Sequence, residues 1–168
     1  MPERGLIYLL DLLVINPTFY LTVILRDHNT KKFIFEIKKR KLESRVTLLD
    51  VTEEELMNEF DKCDFVVYVI QKKLAKDIPN SLIDGISRGK PLILSSVFGF
   101  SKIVDKRKLG YVIKPNTKPV VMNIGEEEYK EMSKNAYLVS EKYTKELYVN
   151  SIIKNYIVWS SENENSNY

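Results

Sequence analysis

Residues 64–115 read DFVVYVIQKKLAKDIPNSLIDGISRGKPLILSSVFGFSKIVDKRKLGYVIKP. Two runs in this stretch, 64–70 (DFVVYVI) and 91–95 (PLILS), are short, apolar and largely free of polar alternation. Runs of that kind suit strands covered on both faces. Between them, Ile78-Pro79-Asn80-Ser81-Leu82-Ile83-Asp84-Gly85 predicts a helix with Pro79 in its first turn. Leu82, Ile83 and Ile86 would face the sheet, and Gly89-Lys90-Pro91 would stop the helix. A strand, a helix and a second strand in this order form a parallel crossover.

The same alternation extends in both directions. Residues 20–26 (YLTVILR) and 45–49 (RVTLL) read as earlier strands, and a short strand is expected at 112–113. Residues 5–15 place Leu6, Leu9, Leu10 and Leu13 on one helical face, ended by Asn16-Pro17. Thr52 with Glu55 forms a capping box that opens a helix burying Leu56, Met57 and Phe60. From Glu126 the spacing of Tyr129, Met132, Ala136, Val139 and Tyr143 predicts a long helix, and Thr144 would begin another with Leu147, Ile152 and Tyr156. Strands alternating with helices imply an α/β class, a Rossmann-like parallel sheet flanked by helices. One domain is expected over residues 1–159, followed by a disordered polar tail, 160–168 (SSENENSNY).

Composition narrows the function classes. The 168 residues are 44% apolar and 29% charged, as in a globular protein, and the net charge of +3 permits an anionic partner without demanding one. No apolar run approaches the ~20 residues of a membrane span. A single cysteine, Cys63, excludes an intramolecular disulfide and suits a cytoplasmic location; it reads as a packed residue rather than a reactive one. One histidine, His28, and one cysteine are too few for a structural zinc site, and His28 reads as a surface residue. The basic run Lys38-Lys39-Arg40-Lys41 follows Phe33, Phe35 and Ile37 and is flanked by Glu36 and Glu43. It reads as a solvated face, in preference to a contact for nucleic acid or anionic lipid, and no nucleic-acid partner is expected.

In an open parallel sheet, ligands bind beyond the carboxyl ends of the strands. The loops at 26–31, 71–81 and 96–102 are therefore the candidates. In the second, the amides of Asn80, Ser81 and Leu82 with the helix dipole behind them form an anion site, rimmed by Lys72, Lys73 and Lys76. A diphosphate could be held there without metal. Asp84, one turn into the helix, could accept hydrogen bonds from ribose hydroxyls. In the third loop, Gly99 permits close backbone approach, and Ser96 or Ser101 could donate. The plain alternative is a capped crossover helix with a solvated lysine rim and a turn at Gly99.

Several pieces occur in a characteristic order from about Arg4 to Tyr156. They are Arg4-Gly5, Leu42-Glu43-Ser44-Arg45-Val46, Glu53-Glu54-Glu55-Leu56, Cys63-Asp64, Pro79-Asn80-Ser81-Leu82, Gly89-Lys90-Pro91, Ile103-Val104 and Gly110-Tyr111-Val112-Ile113. Together they resemble the C-terminal lobe of the retaining GT-B glycosyltransferases of family 4 (glycosyltransferase group 1). The resemblance implies a lobe that binds a nucleoside-diphosphate sugar, transfers the sugar with retention and needs no metal. By it, Arg4 matches the basic residue at the diphosphate, and Asp84 matches the second acid of the family's Glu-x7-Glu, on the ribose. Lys76 stands where the first acid belongs, Phe98-Gly99 replaces a glycine pair, and Lys102 replaces the acid three residues after Gly99. The expected site is thus Arg4, Lys76, Asn80, Ser81, Gly99 and Lys102 near phosphate or sugar, with Asp84 on ribose; no catalytic residue is assigned.

The resemblance also implies a first strand ending in Gly-Arg and a separate acceptor-binding lobe, neither of which this sequence carries. The sheet is then expected to rearrange or to take a strand from a partner. Transfer would need an N-terminal lobe or a second copy, with a glycan, lipid or protein acceptor and peripheral membrane association left open. A second reading is a non-catalytic lobe serving as a partner or regulatory subunit.

Overall fold

The computed structural model describes residues 5–25, 30–70, 79–114 and 117–143. Within them run α1 (Leu6–Ile15), β1 (Leu21–Ile24), α2 (Lys31–Lys39), β2 (Val46–Leu49), α3 (Glu53–Lys62) and β3 (Val66–Tyr68). They continue with α4 (Asn80–Ser87), β4 (Leu92–Ser95), α5 (Ser101–Lys106), β5 (Gly110–Ile113) and α6 (Glu126–Ser140), closed by a 3-10 turn, Glu141–Tyr143. The second C-terminal helix expected from Thr144 and the tail 160–168 lie outside the described residues.

All pairing is parallel, as the alternation predicts. β1 pairs with β2, Leu21 opposite Val46. β4 lies between β3 and β5, with Val66 opposite Leu92 and Leu92 opposite Gly110. Among the described residues no ladder joins β1 to β3, so the sheet is two pieces of two and three strands. The consequence shows in burial: every residue of β4 is buried, whereas Leu21, Val23 and Ile24 of β1 are only half-buried.

Helix α1 spans both pieces. Leu10 and Leu13 pack with Phe33, Ile37, Leu42 and Val46 over the β1–β2 pair. Leu9 and Leu12 pack with Val69, Ile93 and Ile113 over the three-stranded piece, and Leu6 touches both groups. Its C-terminus is tied down by charge-assisted bonds: the Arg45 guanidinium donates to the carbonyls of Leu13, Asn16 and Phe19 at 2.9, 3.0 and 3.3 Å. Asn16 is buried, donates to the Leu12 and Val120 carbonyls and accepts from the Met122 amide at 2.8 Å. Residues 117–124 are thereby held across the end of α1.

The opposite face of β3–β5 is covered by α3, α4, α5 and α6 through Phe60, Ile86, Val104, Ala136 and Val139. The Thr52–Glu55 capping box forms as the sequence predicts. Helix α4 ends where Gly89 was expected to stop it, the Gly89 amide bonding the Ile86 carbonyl and the Lys90 amide the Gly85 carbonyl, each at 3.0 Å. Pro79 is the residue before the helix rather than its first-turn member. Helix α5 was not anticipated; the stretch read as a loop at 96–102 turns into helix at Ser101.

Two measurements test this packing. Gly110 has φ +145°, and a Cβ there would sit 1.9 Å from the Leu92 carbonyl oxygen; around Gly125 a Cβ would meet nothing within 4 Å. Gly110→Ala is therefore expected to cost at least about 3 kcal/mol in urea unfolding, and Gly125→Ala less than about 0.5 kcal/mol. Equal effects would contradict the β4–β5 register. Separately, the Tyr111 hydroxyl donates to Glu128 Oε1 at 2.7 Å. Burial first, then that carboxylate, push the phenol up to about 12. A raised folded value means the contribution is intact below the ordinary 10.0 and is lost as pH climbs toward 12. In an NMR titration of the tyrosine ring carbons, Tyr111 should ionise late, and Glu128→Gln should lower its midpoint only in part, because burial is the larger cause.

Candidate functional site

The carboxyl ends of β3, β4 and β5 are knit together by a few polar atoms. Ser95, the last residue of β4, is fully buried among apolar neighbours, and its hydroxyl oxygen accepts from the Ile70 amide at 2.8 Å. The Ser96 amide donates to the Ile113 carbonyl at 2.8 Å. These bonds hold the chain as it leaves β3 beside the ends of its two neighbours, so the loops that enter α4 and α5 start from a fixed line.

Three helix beginnings meet this edge. Connectivity brings α4 from β3 and α5 from β4. The third, α1, arrives by direct contact: Gly5 is buried at φ +66°, and a Cβ on it would lie 2.5 Å from the Val69 carbonyl oxygen. Only a glycine lets the first turn of α1 settle on the end of β3. Neither α1 nor α4 has a side-chain cap or an acidic residue in its first turn. Their leading N–H groups carry the positive end of the helix dipole, and no carboxylate of the first turn neutralises it among the described residues.

At α4 the amide count can be made residue by residue. The Leu82 amide donates to the Pro79 carbonyl at 3.0 Å and is already used, which corrects the expectation that it faces a ligand. Among the described residues the Asn80 and Ser81 amides have no acceptor. Asn80 is exposed and Ser81 half-buried. Asp84 is half-buried; its carbonyl accepts the Ser87 hydroxyl at 2.8 Å, and its carboxylate makes no ion pair among the described residues. On the neighbouring connection Gly99 is exposed, and Lys102 is exposed on the first turn of α5.

The Ser101 hydroxyl is not available as a donor to a ligand. It is buried and committed to the Phe98 and Ser96 carbonyls at 2.7 and 3.4 Å, closing the turn before α5. Arg4 and Lys76 lie outside the described residues, as do Lys72, Lys73 and His28. Asn80, Ser81 and Asp84 therefore form one described group on α4, and Gly99 with Lys102 a second on the adjoining connection.

Sequence reasoning did not find the parts that organise this edge. Ser95 was available as a lone hydroxyl ending an otherwise apolar strand, and Gly5 as a glycine directly before an apolar helix. Tyr8, on the first turn of α1, was not singled out; burial pushes its phenol up, and the Thr117 hydroxyl beyond β5 partly offsets that. Cys63 is half-buried and donates to the Phe60 carbonyl at 3.3 Å, and burial pushes the thiol up. A thiol so placed is a poor nucleophile, consistent with a packing role.

Such an edge can bind an anion through unspent amides and two helix dipoles, while a half-buried carboxylate one turn away can accept hydrogen bonds from hydroxyls. Among the described residues no cluster of three His, Cys, Asp or Glu side chains could hold a metal ion.

Known proteins with this fold carry the comparison further. No curated protein matches the sequence. Among solved structures, HepE of Anabaena in complex with UDP aligns with a TM-score of 0.75 at 19% identity, covering 94% of this chain and 46% of that one. Sucrose-phosphate synthase of Thermosynechococcus elongatus aligns with a TM-score of 0.77 at 14% identity, covering 96% and 44%. The C-terminal domain of a group 1 glycosyl transferase family protein (LpcC) of Francisella tularensis aligns with a TM-score of 0.67 at 16% identity, covering 86% and 82%. These likenesses establish a GT-B-type α/β fold, and this chain spans about half the length of the first two proteins. The sequence profile of the glycosyl transferases group 1 matches residues 2–138, and the chain belongs to that family.

Proposed function

We propose that this chain is the donor-binding lobe of a glycosyltransferase and holds a nucleoside-diphosphate sugar at the carboxyl edge of β3–β5. The observation that carries the reading is the meeting of α1 and α4 at that edge, neither with a side-chain cap and with the Asn80 and Ser81 amides unspent among the described residues. In this reading those amides and the two dipoles hold the diphosphate, with Arg4, Lys76 and Lys102 as point charges. Gly99 lets the sugar approach the backbone, and Asp84 receives the ribose hydroxyls. Family membership supports the class, and the Anabaena protein of the same fold was solved with UDP and with UDP-glucose. Transfer would proceed with retention, after a separate acceptor lobe or a second copy closes over the donor. Metal plays no part in holding it.

A second reading keeps the binding lobe and removes the chemistry. Lys76 stands eight residues before Asp84, where the related pattern has an acid, and a lysine cannot accept hydrogen bonds from sugar hydroxyls. A lobe that binds donor without turnover would act as a partner subunit.

Calorimetry with UDP-, GDP- and ADP-sugars should reveal one preferred donor. Asp84→Ala is expected to weaken it about tenfold to a hundredfold, the range of a hydrogen bond to a charged group. Glu128→Gln should leave affinity unchanged, because Glu128 lies on α6, whose Tyr129 hydroxyl reaches the Asp64 carbonyl at the opposite, amino end of β3. Absence of binding to all three classes by the folded protein would refute the donor site. Excess EDTA should also leave the affinity as it is in magnesium, and a loss would overturn the metal-free arrangement. Turnover after adding a separate acceptor lobe, abolished by Asp84→Ala, would reject the non-catalytic reading.

A further inference from the structure

The basic run after the first strand does not behave as a uniformly solvated face. Arg40 turns inward: its Nε donates to Asp11 Oδ1 at 2.8 Å, and its Nη1 bonds the Glu36 carboxylate. That bond, chiefly, holds the Glu36 carboxyl below its ordinary range. Glu36 is the sole carboxylate within α2, and it is occupied. Lys31, Lys32, Lys38 and Lys39 are all exposed and make no ion pair among the described residues.

Helix α2 buries Phe33 and Ile37 against α1. A second aromatic, Phe35, points the other way and is 62% exposed, with Ile34 beside it at 37%. Phe35 stands four and three residues after Lys31 and Lys32, and three and four before Lys38 and Lys39. On a helix those are its four surface neighbours, so an exposed ring is encircled by four ammonium groups that close no ion pair among the described residues. In water this arrangement gains little: the ring stays wet and the like charges repel. Against an anionic surface each term changes sign, because the ring leaves water and the lysines find counter-charges.

We propose that the outward face of α2 docks this protein on a membrane surface rich in anionic lipid, with Phe35 entering the headgroup boundary and the four lysines pairing with lipid phosphates. The chemistry favours lipid over nucleic acid. The face is a convex helix with one isolated ring and an aliphatic neighbour, and its cations are lysines, which are point charges suited to headgroups. It offers no groove, no second aromatic for stacking and no outward arginine within α2. The inference is independent of the donor site.

Cosedimentation of the full chain with vesicles tests it. The protein should pellet with mixed phosphatidylcholine–phosphatidylglycerol vesicles, remain in solution with phosphatidylcholine alone, and dissociate as salt is raised. At about fivefold per lysine, the combined Lys31→Gln, Lys32→Gln, Lys38→Gln and Lys39→Gln variant should lose on the order of a hundredfold or more in partitioning. Phe35→Ser should lose about tenfold while keeping the salt dependence. All five positions are exposed, and unchanged urea midpoints would confirm that the variants fold. In a Trp159→Phe background, Phe35→Trp fluorescence should shift to the blue on adding anionic vesicles. An unshifted probe on a pelleting protein, equal pelleting with neutral vesicles, or retention by single-stranded RNA without vesicle binding would each overturn the proposal.

Discussion

The architecture depends on one helix holding together two pieces of sheet that share no ladder among the described residues. Leu10 and Leu13 of α1 belong to the β1–β2 side, Leu9 and Leu12 to the β3–β5 side, and all four are buried. A fully buried leucine contributes about 1.5–3 kcal/mol, whereas a backbone hydrogen bond adds a net of about 1 kcal/mol. Four leucines therefore outweigh the four-residue ladder that would otherwise join β1 to its neighbour. Because α1 is also fixed at both ends, by Gly5 on Val69 and by Arg45 on its last carbonyls, it acts as a clamp of defined position. Its N-terminus meets the carboxyl edge of β3–β5 as a direct result of the packing that holds the sheets together.

The strands were legible because each is short, apolar and β-branched. For β1 to β4 the boundaries found lie within those read, β1 at Leu21–Ile24 inside 20–26 and β4 at Leu92–Ser95 inside 91–95, whereas β5, read at 112–113, begins two residues earlier at Gly110. Helix α1 was legible as a helix but only half understood. A single amphipathic face accounts for Leu6, Leu9, Leu10 and Leu13, and it omits Leu12, which is equally buried. A helix apolar nearly all round is contacted from more than one side; here the second side is the other piece of sheet. Helix α5 escaped notice because six residues between a glycine and a basic cluster give too little periodicity to separate helix from loop.

At the site, side-chain chemistry could be read from the sequence and hydrogen-bond commitments could not. Ser101 and Ser96 looked equivalent as donors. Only geometry reveals that the Ser101 hydroxyl closes its own turn. Likewise three consecutive amides looked free at the start of α4, yet Leu82 folds back on Pro79, leaving two. On the proposed reading a diphosphate needs several donors, so the loss of one at α4 places more weight on α1. The Gly5 contact with Val69 bears on that proposal, because it brings to the same edge a second helix start without a side-chain cap among the described residues.

The cations divide along similar lines. Arg40 and Arg45 are structural, each binding two or more acceptors in and around α1, where the planar fork of a guanidinium satisfies several oxygens at once. The lysines of α2 are left outside, singly charged and without partners among the described residues. Sequence reading treated Lys38-Lys39-Arg40-Lys41 as one basic run, because spacing alone does not say which cation has an acceptor within reach. With Arg40 engaged by Asp11 and Glu36, the four lysines around Phe35 stay exposed, and the outward face of α2 carries more positive than negative charge. The same ion pairs that secure α2 to α1 thus set the character of the face that α2 presents to solvent.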